Sequence, residues 1–462
     1  MTGSKISAVG DPPGRLPSLE RLLRPAWSLR VGDSQSSAGA ERGVVCRQGE
    51  GSPIWLKNGS WQLFARAAGE NDVGRGETLA SFQRPDGTEV HAIVDGATGN
   101  VVVPFSFEEA YTAYVSESWR EGRPRRGLSA RQLAAFYRAK ALVPRRLQLM
   151  ARRRLIQRQG LPDFPSWPSD TSVSSLVRFY AACQLRAAGR RDETFLWFWP
   201  EGYHAGVILT HDVENETGIR LALELADVEE QHGFRSSFNF GAWYDIDPGI
   251  LRELADRGFE IGMHGLTHDR ELFASREGFE ERLPQLAALA SRLGAVGFRS
   301  PATHRVFDWL SELPVEYDCT IPNSDPYEPQ PGGCCSLWPF FIGDVVELPY
   351  TLPQDHTMIT LLGHRSPALW LEQARLIENE YGLIQCVSHP DIGYLGDRDN
   401  RTIYDEFLRG LKERTKLWRA LPREVASWWR QRSEADLEGM DLRFGTVRLG
   451  SDAEFASFEP PA

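Results

Sequence analysis

From Ala205 onward the chain alternates short apolar runs with amphipathic stretches of helical length, and this alternation narrows its possible folds more than any other feature. Residues 207–210 read as a buried strand, 217–231 as a helix closed by Gly233, and 234–240 as the next strand. Residues 248–257 read as a helix with Pro248 in its first turn and Gly258 after its end. Strand 259–263, helix 277–293, strand 296–299, helix 307–313, strand 345–348, helix 367–381 and strand 383–387 continue the pattern. So many βα units predict an α/β fold, a barrel or distorted barrel rather than an open sheet.

The chain has 462 residues, so more than one domain is expected. Residues 1–40 lack an apolar segment and read as a flexible N-terminus. Residues 41–200 read as a small antiparallel β unit followed by helices over 107–119, 129–159 and 173–188. Residues 201–435 form the barrel, covered by helices over 402–418 and 423–432, and 436–462 read as an acidic tail. The run Phe195 to Pro200 is either a sugar-stacking platform or an aromatic anchor between domains.

A net charge of -11 argues against a general nucleic-acid binder. The segment from Arg145 to Arg158 is the exception, carrying Arg145, Arg146, Arg152, Arg153, Arg154 and Arg158 with apolar residues between them. It suits either peripheral contact with an anionic surface or membrane, or packing on an acidic body. No stretch is apolar enough to span a bilayer, and the six cysteines show no metal or disulfide spacing, which predicts reduced thiols in a cytoplasmic protein. The pair Cys334-Cys335 is the one redox candidate.

In parallel β/α domains chemistry gathers where strands end. Those positions here hold Thr210, His211, Asp212 and Glu214, then Asn239, then His264, His268 and Asp269, then Arg299, and finally Ser388, His389 and Asp391. His264 and His268, spaced as HGLTH after a strand, allow two imidazoles to converge on an ion. A carboxylate from another strand, Asp212 or Glu214, would complete three ligands and leave a position for water, as in catalytic zinc and similar divalent sites. The bland alternative is a chance pair on a surface helix. Residues 320–333 are rich in Pro, Asn and Asp and form a long loop, whose Asp325, Tyr327 and Glu328 either bind sugar hydroxyls or cap turns.

The segments LTHDVEN, EIGMHGLTHD, GFRSP, VELPY and VSHPD, in that order, resemble the five motifs of the polysaccharide deacetylase superfamily, also known by chitooligosaccharide deacetylase homology and as carbohydrate esterase family four. The resemblance spans Gly206 to Asp391 and leaves the N-terminal part unexplained. It implies a deformed (β/α) barrel of about seven strands and removal of acetyl groups from N-acetylated sugars or glycan precursors. It further implies a divalent metal cofactor, zinc foremost with cobalt or manganese as alternatives, held by His264 and His268. Asp212 matches the catalytic base, Arg299 the residue that orients it, and His389 the acid that protonates the leaving nitrogen. Asn239 falls among the substrate-binding candidates.

Two departures stand out. Val213 occupies the place of the usual metal-binding Asp, giving a His-Asp-Val-Glu variant of the first motif, and Gly265 replaces a bracing Ser or Thr. Asp212 or Glu214 then supplies the missing carboxylate, both lying on one face of a continuing strand. Because fold does not fix substrate, another carbon-nitrogen amide hydrolase on the same scaffold and a catalytically impaired carbohydrate-binding homologue are the alternatives.

Overall fold

The structure, a computed structural model, describes residues 19, 43–69, 74–122, 145–434, 443–450 and 454–461. Of the segment 1–40, expected to be flexible, only Leu19 is described, and it is buried with its N–H donating to Glu108 Oε1 at 3.3 Å; the rest of that segment and the first part of the helix expected at 129–159 lie outside the described residues.

The N-terminal region is a six-stranded sheet of β1 (Val44–Cys46), β2 (Ile54–Asn58), β3 (Trp61–Ala65), β4 (Gly76–Gln83), β5 (Glu89–Asp95) and β6 (Val101–Val103), in the order β1-β6-β5-β4-β2-β3. All its pairs are antiparallel except β1 with β6. Helices α1 (Phe107–Val115), α2 (Arg145–Gln159) and α3 (Ser172–Ala188) follow. Helix α3 is buried along most of its length, and its Phe179 packs against Trp61 and Phe82 of the sheet and Phe105 just after it.

Next come β7 (Asp192–Leu196) and the aromatic run 195–199, whose five side chains are at most 1% exposed. This run is an anchor, closed off from any sugar. Arg432, itself buried, donates to the carbonyls of Leu196 and Trp197.

The main sheet contains β8 (Ala205–Val213), β9 (Ser237–Phe240), β10 (Glu260–Met263), β11 (Gly297–Phe298), β12 (Tyr317–Asp318), β13 (Phe340–Ile342), β14 (Val345–Glu347), β15 (Leu383–Ser388) and β16 (Leu417–Arg419). Its order is β13-β14-β12-β11-β10-β9-β8-β15, with β16 also paired to β8. Only β13 runs antiparallel. The expected barrel of about seven strands is thus a curled nine-stranded sheet with two ends. Irregular backbone partly bridges the gap, since Leu352 N–H donates to Gln385 O at 3.1 Å.

Local chemistry places the helices between these strands. Asn215 caps α4 (Glu216–His232) by accepting from the N–H groups of Thr217 and Gly218, and Gly233 ends it in the left-handed region at φ 74°. Asp247 and Pro248 start α5 (Pro248–Asp256), and Ser275 caps α6 (Arg276–Leu293). Helices α7 (Ala368–Asn379), α8 (Arg398–Lys412) and α9 (Pro422–Glu434) complete the cover.

The expected helix over 307–313 is only four residues long, and residues 417 and 418 leave the helix expected over 402–418 to form β16 with Arg419. The stretch read as an acidic tail also contributes structure. Strand β17 (Phe444–Leu449) pairs with both β18 (Ala456–Glu459) and β7, burying Val447, Ala456 and Phe458. The alternation of those residues is the strand period, which the surrounding acidic side chains obscured. Cys334 and Cys335, the redox candidate, are buried, and burial raises both thiols well above their ordinary value, which disfavours the reactive thiolate.

Candidate active site

The fully buried strand β8 brings Asp212 to its C-terminal end, and Glu214 follows two residues later on the same side. Val213, between them, points into the core with no exposure. Asp212 is 4% exposed and accepts a 2.8 Å hydrogen bond from Asn239 Nδ2 at the end of β9. Arg299 Nη1 lies 3.9 Å from its other oxygen, and His264 Nδ1 lies 3.9 Å from the first. Burial alone would raise this carboxyl, but the charges of Arg299 and His389 and the Asn239 contact hold it below its ordinary value, so it is an anion.

Asn239 was a substrate-binding candidate. Its amide is instead committed within the protein, with Nδ2 on Asp212 and Oδ1 accepting from Ser237. A Cβ at position 262 would stand 1.9 Å from that Oδ1, so Gly262 is what lets β10 pass so close. Arg299 is fully buried, which rules out a surface ion pair, and its Nη2 donates to Thr210 Oγ1 at 2.9 Å.

His264 and His268 follow β10. The Nδ1 of His264 donates to the carbonyl of Arg299 at 2.9 Å, which fixes the tautomer and leaves Nε2 its lone pair. Burial lowers its pKa to about 4, so the ring is neutral, as a metal ligand must be. His268 is partly exposed, and its Nε2 lies 3.1 Å from Glu214 Oε1. Burial works against its charge, yet the Glu214 contact outweighs that and raises its pKa. Glu214 is held far below the usual carboxylate range: burial opposes this, but the His268 hydrogen bond and the charges of His389 and His268 prevail.

His389 follows β15. Its Nδ1 donates to Asp355 Oδ1 at 2.7 Å, its backbone N–H donates to Asp355 Oδ2 at 2.9 Å, and its Nε2 faces Glu214 Oε1 at 3.8 Å. Despite burial, Asp355 raises this imidazole to about 10, so it carries a proton at neutral pH. Asp355 itself is fully buried at the start of one wide helical turn, His356–Leu361.

Three neighbours escaped the sequence reading as site residues with roles. Trp243 packs on both histidines, with ring centroids 5.7 Å from His264 and 5.2 Å from His268, and its Nε1 donates to the Glu214 carbonyl. Asp391 accepts from the Glu214 backbone N–H at 3.0 Å. Asp355 is the third. None belongs to a periodic pattern, although Asp391 was visible as a polar residue near a strand end.

The loop residues are placed differently from one another. Asp325 is buried and accepts from Tyr327 N–H and Tyr350 Oη, so it shapes the loop and is closed to sugar. Tyr327 is partly exposed and stands edge-on to Trp167, 5.2 Å between centroids. Glu328 is buried near Asp325, and burial raises its carboxyl to about 7.

The donor set suits a divalent ion: a neutral imidazole with a free Nε2, a second imidazole, and an ionised carboxylate. Among the described residues these groups do not converge as three donors on one point, because His268 and Glu214 are hydrogen-bonded to each other instead.

No family model and no curated protein matches the chain. Among solved structures, it is similar to a candidate polysaccharide deacetylase from Mycobacterium smegmatis, at 20% identity and a TM-score of 0.41, covering 51% of this chain and 93% of that one. It is similar to Puue allantoinase at 14% identity and a TM-score of 0.37, covering 50% and 92%. It is also similar to the peptidoglycan deacetylase PdaC of Bacillus subtilis at 14% identity and a TM-score of 0.33, covering 51% and 97%. The chemistry of the site rests on its own side chains.

Proposed function

We propose that this chain is a metal-dependent hydrolase that removes an acetyl group from an N-acetylated sugar or glycan precursor. One observation carries the reading. A buried anionic carboxylate, Asp212, and a protonated imidazole, His389, flank a group of two histidines and Glu214 suited to a metal.

In this reading His264, His268 and Glu214 would hold the ion, and Glu214 would take over the role that Val213 cannot fill. The supporting contrast is in the partners: Asp212 is fixed by Asn239 and Arg299, whereas Glu214 already touches His268. When bound, a divalent ion such as zinc, cobalt or manganese supplies polarisation of the amide carbonyl and acidity to the attacking water. Asp212, kept ionised and aimed by Asn239 and Arg299, would serve as the base for the attacking water. His389 donates its Nε2 proton to the departing nitrogen, and Asp355 holds the ring in orientation through Nδ1. Arg299 is a positioning residue.

Acetate release from N-acetylated amino sugars, with and without added zinc, cobalt or manganese, tests the proposal. Metal-stimulated release is expected from the native protein, with at least about a 100-fold loss in His264→Ala and His268→Ala. Equal release by both variants, with folding intact, would end the metal-hydrolase reading.

A further inference from the structure

Helix α2 is the strongest concentration of positive charge in a chain whose net charge is -11. Its inner side is committed to the catalytic half. Arg152 donates to the Tyr327 carbonyl and contacts His356 Nε2 at 3.1 Å, while Arg153 donates to the Thr360 carbonyl at 3.1 Å. His356 packs on Tyr394 at 5.7 Å, and Tyr394 on His389 at 4.8 Å, so the helix lies two rings from the proposed acid.

The outer side is unlike an ordinary solvated face. At helical spacing, Leu147, Met150, Ala151, Arg154 and Arg158 fall within one narrow sector, and all are exposed. Leu147 is 51% and Met150 45% exposed. Arg154 and Arg158 have no carboxylate partner among the described residues. A second exposed apolar side chain is Ile392, three residues after His389, at 55%, and its loop is joined to helix α2 through Thr360, whose carbonyl accepts from Arg153. Gly393, next to Ile392, accepts from Thr360 Oγ1 at 3.2 Å and borders a cleft of about 720 Å³. Arg153, Arg365 and Arg398 line that cleft, together with Asp397 and Asp399.

We propose that this face docks on a membrane surface carrying anionic lipid, with Leu147, Met150 and Ile392 entering the interfacial layer and Arg154 and Arg158 meeting the phosphates. Charge complementarity selects this occupant. Arginines beside exposed aliphatic side chains on one helix face match an interface that is anionic above and apolar beneath. The rest of an acidic protein is repelled from it, so contact is confined to this patch. The docked orientation sets the loop that carries His389 beside the bilayer. The inference does not depend on the proposed hydrolysis.

The test is co-sedimentation of the full chain with phosphatidylcholine vesicles, with and without phosphatidylglycerol. Binding only to the anionic vesicles, weakened by added salt, is expected. Arg154→Glu with Arg158→Glu should weaken it by more than about fivefold per arginine. Leu147→Asp with Met150→Asp should abolish it. Unfolding midpoints matching the native protein establish that these surface variants are folded. Equal binding to neutral vesicles, no pelleting with either, or unchanged binding by both double variants would overturn the proposal. So would a concentration-dependent dimer, seen by sedimentation and lost in Leu147→Asp, because the face would then be covered by a second copy.

Discussion

Asp355 shows how one buried carboxylate sets the chemistry of a neighbour. It binds both the ring and the backbone of His389, and it is the principal group keeping that imidazole protonated. Asp355→Asn retains much of the shape and removes the charge. Its kcat in acetate release is expected to fall about 100-fold, the usual scale of general acid catalysis, with KM little changed; a KM rise at constant kcat would show a substrate-binding role instead. Glu260 offers a second residue-scale test away from the site. It is 2% exposed, accepts from Tyr317 Oη and Arg423 N–H, and burial raises its pKa to about 7. A carboxyl raised on folding contributes stability that is fully present below its unfolded value near 4.5 and is lost as pH rises through about 7. Glu260→Gln can donate its amide to Tyr317 and accept from Arg423, so its denaturant midpoint should decline less than that of the native protein between those two pH values. Identical slopes would contradict this assignment.

The elements that carry the site were legible where they were long and periodic. Strand β8, helix α4, helix α6 and strand β15 follow from apolar runs, caps and terminal glycines, and the polar residues at their ends were found with them. Strands of two or three residues, such as β12 and β13, leave no period to detect. Asp355 was invisible because it is 34 residues from His389 in sequence and starts an irregular turn. Trp243 was invisible for a similar reason, lying in a bend after β9. For Asn239, expected to meet substrate, a sequence does not reveal that its amide meets Asp212. Helix α4 supplies an element-scale prediction. A Cβ on Gly218 would stand 2.4 Å from Asp391 Oδ1, and Asp391 holds the backbone at Glu214. Alanine is the better helix former by roughly 1 kcal/mol, so a purely helical role predicts that Gly218→Ala is more stable and fully active. The close approach predicts lowered metal affinity and activity, measured by zinc titration and acetate release.

At the scale of the molecule, the N-terminal region is fastened to the catalytic half through buried polar contacts. Glu117 and Arg305, 7% and 4% exposed, form a two-pronged pair at 2.6 and 2.7 Å, and Glu117 also accepts from Gly333 N–H. Asn323 and Asp170 exchange two further hydrogen bonds. Removing one partner of a buried pair costs about 3–5 kcal/mol, so Glu117→Ala should lower the thermal midpoint of the whole chain; a midpoint unchanged by the substitution would show the pair to be dispensable. The central claim is the division of labour between Asp212 and Glu214. Calorimetric titration of zinc into the native protein, Asp212→Asn and Glu214→Gln tests it most directly. One equivalent should bind the first two with similar affinity, with at least about tenfold weaker binding to Glu214→Gln. Loss of zinc from Asp212→Asn, with native binding by Glu214→Gln, would contradict the account.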